Sequence, residues 1–299
     1  MTMKDQFTEV AGKLLIRAPA KLNLSLLIAG KRPDGYHEIE TVMAKVDFYD
    51  ELLFEPGEAD RIELICKGPR WAPQGRDNLV FQACRMLYDS AGAQPGIKVT
   101  LTKNIPAESG LGGGSSDAAA ALIGLNRFAK LAVGPGKLRK IATRLGSDVP
   151  FFLGGPLALC KGTGEKIEEF DEEFAFHAIL VLPSISVSTK RVYENYVHNQ
   201  ELYDKFSRKI NKFIAEKKFD LLTQVCANML QKSCFQIYER LTDVKSRIES
   251  LCSRTVGLSG SGSAMYCVVE SDDQDAEHYQ SMLNEIVGCE SVIVHNNRW

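Results

Sequence analysis

Several kinds of feature are missing from this sequence, and each absence narrows what the protein can be. No apolar run in the 299 residues approaches the ~20 residues that a membrane-spanning helix needs. The opening stretch, MTMKDQFTEVAGK, has no hydrophobic centre and carries acids. It reads as neither a signal peptide nor an organelle transit peptide, and is expected to form a short frayed extension. Charge of one sign is also missing. Lys and Arg number 36 against 38 Asp and Glu, for a net charge of −2, so there is no overall basic excess to grip a nucleic-acid backbone. The eight cysteines (66, 84, 160, 226, 234, 252, 267 and 289) include no C-x-x-C pair, and most sit among apolar neighbours. Reduced core thiols fit that pattern better than disulfides or zinc. Internal repeats and low-complexity tracts are absent. What is present is an ordinary globular composition, 44% hydrophobic and 25% charged, in a chain long enough for two domains.

One stretch departs from that background: residues 103–125, KNIPAESGLGGGSSDAAAALIGL. Gly110, Gly112, Gly113 and Gly114 are too costly in backbone entropy for a helix or strand interior. They permit positive φ and close approach to a ligand. Strong helix formers follow from Asp117. A glycine loop running into a helix N-terminus is an anion site, and phosphate is its common occupant. The loop holds no lysine, so it is not a Walker A loop, and its spacing does not fit G-x-G-x-x-G.

In chain order, residues 14–29 read as strand, with Asn23 and Ser25 alternating against Leu22, Leu24 and Leu26. Pro19 predicts two short strands or one bulged strand. A turn at Pro33-Asp34-Gly35 precedes strands over 36–46 and 51–54. Residues 61–66 and 97–102 are strands, and Asn78 or Asp77 is placed to cap a helix reaching about residue 90. A helix over 137–145 ends at Gly146. Residues 157–161 and 166–170 form a hairpin around Gly162-Thr163-Gly164, and 174–182 is an apolar strand in which His177 is packed. Residues 200–252 are helical by three- and four-residue spacing. TVGLSGSGSAMYCVV is strand, glycine-serine loop, strand, followed by a helix over 272–287 and a strand over 291–296. On spacing alone, Asp148 is a helix cap or a working acid. Lys103 is a strand-end charge or a nucleotide contact. Tyr36 and His37 are surface groups, or a pair that stacks on a base and bonds its edge.

RAPAKLNLSL, PAESGLGGGSSDAAAAL and GLSGSGSAMY resemble, in order, the three motifs of the GHMP kinases, the galactokinase, homoserine, mevalonate and phosphomevalonate kinase superfamily. The resemblance covers nearly the whole chain. It implies an α+β fold of two domains: an ATP-binding domain of ribosomal protein S5 domain 2-like type over 1–175, and a ferredoxin-like domain over 176–299, facing each other across a cleft. It implies a catalytic pair, Lys21 and Asp148, the latter in LGSDVPFFL. It places Lys103, Pro106, Gly110, Leu111, Gly112, Gly113, Gly114, Ser115, Ser116 and Asn78 near ATP, with Mg2+ on the nucleotide and Ser115 or Ser116 as its protein contact.

RPDGYHEI narrows the resemblance to one branch. Its members phosphorylate the 2-hydroxyl of 4-diphosphocytidyl-2-C-methyl-D-erythritol in the non-mevalonate isoprenoid pathway. In that branch Tyr36 and His37 read the cytosine, Asn23 contacts substrate, and Thr189 and Tyr193 touch the erythritol moiety and the cytosine. Phosphoryl transfer needs positioning and charge stabilisation more than covalent help. Asp148 would accept the hydroxyl proton, and Lys21 would offset developing charge. Two alternatives stay open: a GHMP kinase for a different small alcohol, and a binding protein of the same fold without turnover. The intact Lys21 and Asp148 speak against the second. The expected partner is the small-molecule substrate, with no nucleic acid and no membrane, for a monomer or homodimer. The expected location is a bacterial cytosol, with a plastid stroma as the alternative.

Overall fold

A computed structural model of the chain describes residues 6–170, 174–269 and 274–296. Its elements, in order, are β1 (Phe7–Val10), β2 (Lys13–Lys31), β3 (His37–Pro56), β4 (Ile62–Lys67), α1 (Leu79–Ala91), β5 (Ile97–Thr102), α2 (Gly113–Phe128), α3 (Pro135–Leu145), α4 (Val149–Phe152), β6 (Leu157–Gly162), β7 (Lys166–Glu169), β8 (His177–Leu182), α5 (Thr189–Glu194), α6 (Gln200–Ala215), α7 (Phe219–Val225), α8 (Gln231–Ile237), α9 (Arg240–Cys252), β9 (Val256–Leu258), β10 (Met265–Val269), α10 (Gln274–Met282) and β11 (Glu290–His295).

The first sheet is organised by the long β2–β3 ribbon and runs β1-β2-β3-β5-β4. The 20-residue β3 pairs with β6 near its start and with β5 near its end. The second sheet is antiparallel in the order β11-β8-β10-β9. Numbered along the chain, that is 4-1-3-2, the ferredoxin-like arrangement of split β-α-β units.

The structure departs from the sequence expectations in two places and decides between two alternatives in a third. First, the strands expected over 36–46 and 51–54 are one continuous strand. Asp47 and Asp50 look like turn residues, but each has a distant partner. Asp50 Oδ1 accepts the Asn104 and Ile105 N–H groups at 2.6 and 2.9 Å, and Asp47 Oδ1 accepts the His295 N–H at 2.6 Å. Second, of the two forms expected for β2 the structure takes the bulged single strand, with register shifts at Pro19/Ala20, Asn23/Ser25 and Ile28/Gly30. Third, the chain start is not simply an extension. Residues 1–5 lie outside the described residues, but Phe7–Val10 pairs in register with β2. The helix expected over 272–287 is described from Gln274, with a π-turn over Leu283–Val287.

Two apolar cores result. One packs α1, α2 and α4 against the first sheet through residues such as Leu52, Phe54, Leu87, Leu122 and Phe151. The other joins Leu22, Leu24 and Ile28 of β2 to Ile179, Leu180 and Met265 of the second sheet. All eight cysteines are free thiols, six of them buried. Among the described residues no helix is long and apolar enough to cross a membrane.

Gly124 of α2 faces the ring of buried Phe54, where an added Cβ would come within 2.8 Å of Cζ. Helix propensity alone would make Gly124→Ala stabilising by ~1 kcal/mol, but overpacking costs ~1–3 kcal/mol. The variant is therefore expected to lose stability in urea denaturation, and an unchanged midpoint would show that the interface has room.

Candidate functional site

The glycine stretch forms the loop expected from its composition. Lys103 closes β5 through its N–H to the Lys67 carbonyl, 2.8 Å. The chain then turns through residues 104–112 into α2. Gly112 is the cap residue at φ 70° and Gly110 sits at φ 79°, left-handed values that favour glycine. At Gly110 a Cβ would also strike the Ser259 carbonyl. The loop is held by its own backbone carbonyls: Leu111 O accepts the Lys21 N–H and Ser109 O the Ala264 N–H, both at 2.9 Å, and Gly110 O accepts the Ser259 hydroxyl at 2.9 Å. Thus β2 and the glycine-serine loop between β9 and β10 fix it from both sides. The first N–H groups of α2 have no acceptor a turn earlier and open on a cleft.

That cleft, of ≈ 350 Å³, is lined by Pro106, Gly110, Leu111, Gly112, Gly113, Gly114 and Ser115 on the loop side. Lys21, Asn23 and Asp148 line it, and so do Thr189 and Tyr193 of α5. Lys21 is 3% exposed. Its Nζ bonds Asn23 Oδ1 and, at 2.6 Å, the Gly110 carbonyl. Burial pushes the Lys21 ammonium below its usual range, while Asp148 and Cys160 oppose that shift. Asp148 occupies the cap position of α4 but makes no side-chain cap bond, so its carboxylate is not used up in capping. Its Oδ1 would lie 3.6 Å from a Cβ added at Gly164. Asp148 lines the same cleft as Lys21 and acts on the lysine's charge.

Tyr193 lines the cleft, whereas Tyr36 and His37, expected at the substrate, lie outside its lining. The His37 ring stands 5.3 Å from Tyr193 and 5.7 Å from Tyr196. Burial, then Lys31 and His198, lowers the His37 imidazolium pKa. Burial, then Asp148 and Tyr196, raises the Tyr193 phenol. Tyr36 points outward, 66% exposed. Asn23 is oriented by its Nδ2 donating to Thr41 Oγ1 at 2.7 Å. Thr189 Oγ1 lies 2.9 Å from Ser261 Oγ.

Three residues expected at the nucleotide lie outside the cleft lining. Asn78 caps α1 by accepting the Val80 N–H at 2.8 Å and donates to the Pro73 carbonyl. Ser116 is buried, and its Oγ has no hydrogen-bond partner among the described residues. Lys103 is locked beneath the loop, bonded to Asp50 and, at 2.7 Å, to Asp117. Burial opposes the Lys103 charge, but Asp117 and Asp50 outweigh it and raise its pKa. Burial raises the Asp117 carboxyl well above its usual range, against Lys103 and with Asp50. Sequence reasoning missed this Asp50–Lys103–Asp117 cluster, as well as Thr41 and Ser259. Lys103, Asp117 and Ser259 lie in or beside the quoted motifs, but no local pattern gives their partners, which lie on other elements.

A cleft of this kind, a bare helix N-terminus facing a buried lysine and an aspartate in this two-sheet fold, defines a small-molecule kinase. The GHMP kinases N terminal domain matches residues 78–155. The chain is 38% identical to a 4-diphosphocytidyl-2-C-methyl-D-erythritol kinase of Chloroherpeton thalassium over 89% of its length and 93% of that protein. It is 35% identical to one of a Geobacillus species over 90% and 93%. A crystal structure of 4-(cytidine 5'-diphospho)-2C-methyl-D-erythritol kinase superposes with a TM-score of 0.75 at 30% identity, covering 95% of this chain and 99% of that one. A homoserine kinase of Cytophaga hutchinsonii, 16% identical, superposes at 0.76 over 97% and 96% and shares the fold alone. The chain belongs to the 4-diphosphocytidyl-2-C-methyl-D-erythritol kinase family.

At Gly114 an added Cβ would meet only Leu79, at 3.8 Å, and Leu79 is itself a cleft residue. Gly114→Ala is therefore expected to keep or raise Tm while raising KM for ATP about 10-fold, equivalent to ~1.4 kcal/mol. An unchanged KM would mean that phosphate does not reach this turn.

Proposed function

We propose that the cleft transfers the γ-phosphoryl of ATP to the 2-hydroxyl of 4-diphosphocytidyl-2-C-methyl-D-erythritol, a step in isoprenoid precursor synthesis. The observation that supports this most directly is the convergence of Gly112–Ser115, Lys21, Asp148 and Tyr193 on one cavity, with His37 packed against Tyr193 just outside its lining. The N–H groups at the start of α2 hold the phosphates. Asp148 accepts the proton of the attacking hydroxyl. Lys21, tethered to Gly110 O, stands where charge grows on the transferred group. Asn23 and Thr189 orient the alcohol. His37 and Tyr193 take the cytosine, and exposed Tyr36 is free to swing onto it.

Mg2+ bound to ATP would supply charge neutralisation. Ser115, on the cleft wall, is the side chain suited to touch it. Among the described residues no group of three or more His, Cys, Asp or Glu could hold a metal without the nucleotide, which fits an ion carried in by its phosphates. In this reading Lys103 and Asn78 serve the nucleotide site indirectly, by fixing the loop and α1. The chain divides near residue 176, works as a monomer or homodimer, and acts in a bacterial cytosol.

Asp148→Asn is expected to cut kcat by about 10²–10⁴-fold and leave ATP affinity within about twofold; near wild-type turnover would remove Asp148 from the mechanism. His37→Ala is expected to raise KM for the cytidylyl substrate about 10–100-fold with little change for ATP. Equal shifts for both substrates would undo the cytosine assignment.

A further inference from the structure

Lys45 is a buried cation that the reaction as described does not use. It lies in β3 directly opposite Lys21 and is 5% exposed. Its Nζ donates to the carbonyls of Phe152 at 3.2 Å and Gly154 at 2.6 Å and stands 5.6 Å from the centre of the Phe151 ring. Its N–H bonds the Pro156 carbonyl at 2.8 Å. These carbonyls form the C-terminal end of α4 and its exit. At the other end of the same four-residue helix is Asp148.

One turn of helix cannot hold itself, and the Asp148 side chain does not cap it. A cation on its last carbonyls satisfies groups that would otherwise be left unpaired. The same turn also braces the phosphate loop, because a Cβ added at Gly112 would meet Phe152 Cζ at 2.9 Å and Lys21 Cγ at 3.1 Å. The segment clamped by Lys45 therefore carries Asp148 and touches the loop that faces it.

We propose that Lys45 is a positioning residue for phosphoryl transfer: its ammonium clamps the carbonyl end of α4 and thereby sets the place of the Asp148 carboxylate. The inference rests on Asp148 being the proton acceptor.

Burial pushes the Lys45 ammonium down to about 7, with Glu169 opposing. Glu169 of β7 acts on its charge, and Lys21 of β2 lies opposite it in the strand pair. Glu169 accepts the Gly155 N–H at 2.9 Å and lies 3.8 Å from Arg139. Below about pH 7 the clamp is charged; above it the charge is lost. The unfolded lysine keeps its proton up to the ordinary 10.5. Between those values the unfolded chain binds more protons, so this group's contribution to stability rises with pH. Positioning weakens as pH rises through about 7, where the charge-assisted bonds to the Phe152 and Gly154 carbonyls become the weaker bonds of a neutral amine. Activity and stability thus run in opposite directions, whereas activity lost through unfolding would fall with stability.

The test measures kcat, both KM values and Tm from about pH 6 to about pH 9, by ADP release with ATP and the cytidylyl-linked alcohol. It compares wild type with Lys45→Met, Lys45→Arg and Asp148→Asn. The expected wild-type kcat falls as pH rises through about 7 while Tm rises and both KM values hold. Lys45→Met is expected to have kcat reduced about 10-fold at pH 6 with no further fall, and a higher Tm there that no longer changes with this titration. Lys45→Arg is expected to keep kcat at high pH. A flat wild-type profile overturns the proposal, as does a Lys45→Met enzyme with wild-type kcat. An alkaline fall that persists in Lys45→Met belongs to Lys21 and also overturns it. An inactive Asp148→Asn beside a wild-type-like Lys45→Met sinks this inference alone; an active Asp148→Asn sinks the reading beneath it. If Lys45→Met fails to fold, ε-13C lysine NMR of the wild type and Lys45→Arg decides: a resonance titrating near 7 that is missing from Lys45→Arg supports the clamp, and none doing so refutes it.

Discussion

The phosphate-facing loop depends on a charge cluster buried beneath it. Asp50 on β3, Lys103 at the end of β5 and Asp117 in the first turns of α2 meet with almost no exposure. Together they tie three elements that would otherwise be free to shift by a residue or two. Taking one partner from such a cluster leaves an uncompensated buried charge, at a cost of about 3–5 kcal/mol. The cluster has a second effect. Its lysine lies directly below the loop, with Nζ 3.2 Å from where a Cβ of Gly113 would sit, so the floor of an anion site is neither bare nor strongly negative.

Much of this architecture was legible in the sequence, for identifiable reasons. The glycine run, the strand over 97–102 and the helix after Asn78 follow from backbone freedom, alternation and capping, all of which are local. The Asn78 side chain illustrates the limit. Its capping role could be read from spacing, but whether it also faced a ligand could not, and its bonds to Val80 and Pro73 account for it. The break expected in β3 did not occur, because Asp47 and Asp50 find partners far along the chain. The short α5, which brings Thr189 and Tyr193 to the cleft, has no strong periodic signal in six residues. What local pattern missed, tertiary partners determine.

The cleft and the aromatic residues at its border concentrate groups whose protonation is shifted by burial. Lys21 is pushed down and Tyr193 up, and His37 is kept toward neutrality. All three shifts favour the uncharged form, as desolvation requires. A highly charged ligand entering such a site meets few competing mobile charges. Its selectivity then rests on fixed dipoles, the helix start and the oriented Asn23 amide, which need no reorganisation when charge moves.

The irregularities of β2 carry a constraint of a different kind. Register shifts at Pro19/Ala20 and Asn23/Ser25 bracket the segment that holds Lys21 and Asn23. Successive strand side chains alternate faces, so a change of one residue in length turns every later side chain over. Homologous chains can therefore exchange residue types along this ribbon far more freely than they can gain or lose one. A single-codon deletion between the two bulges would turn the lysine or the asparagine away from the reacting atoms while leaving the overall composition of the strand almost untouched.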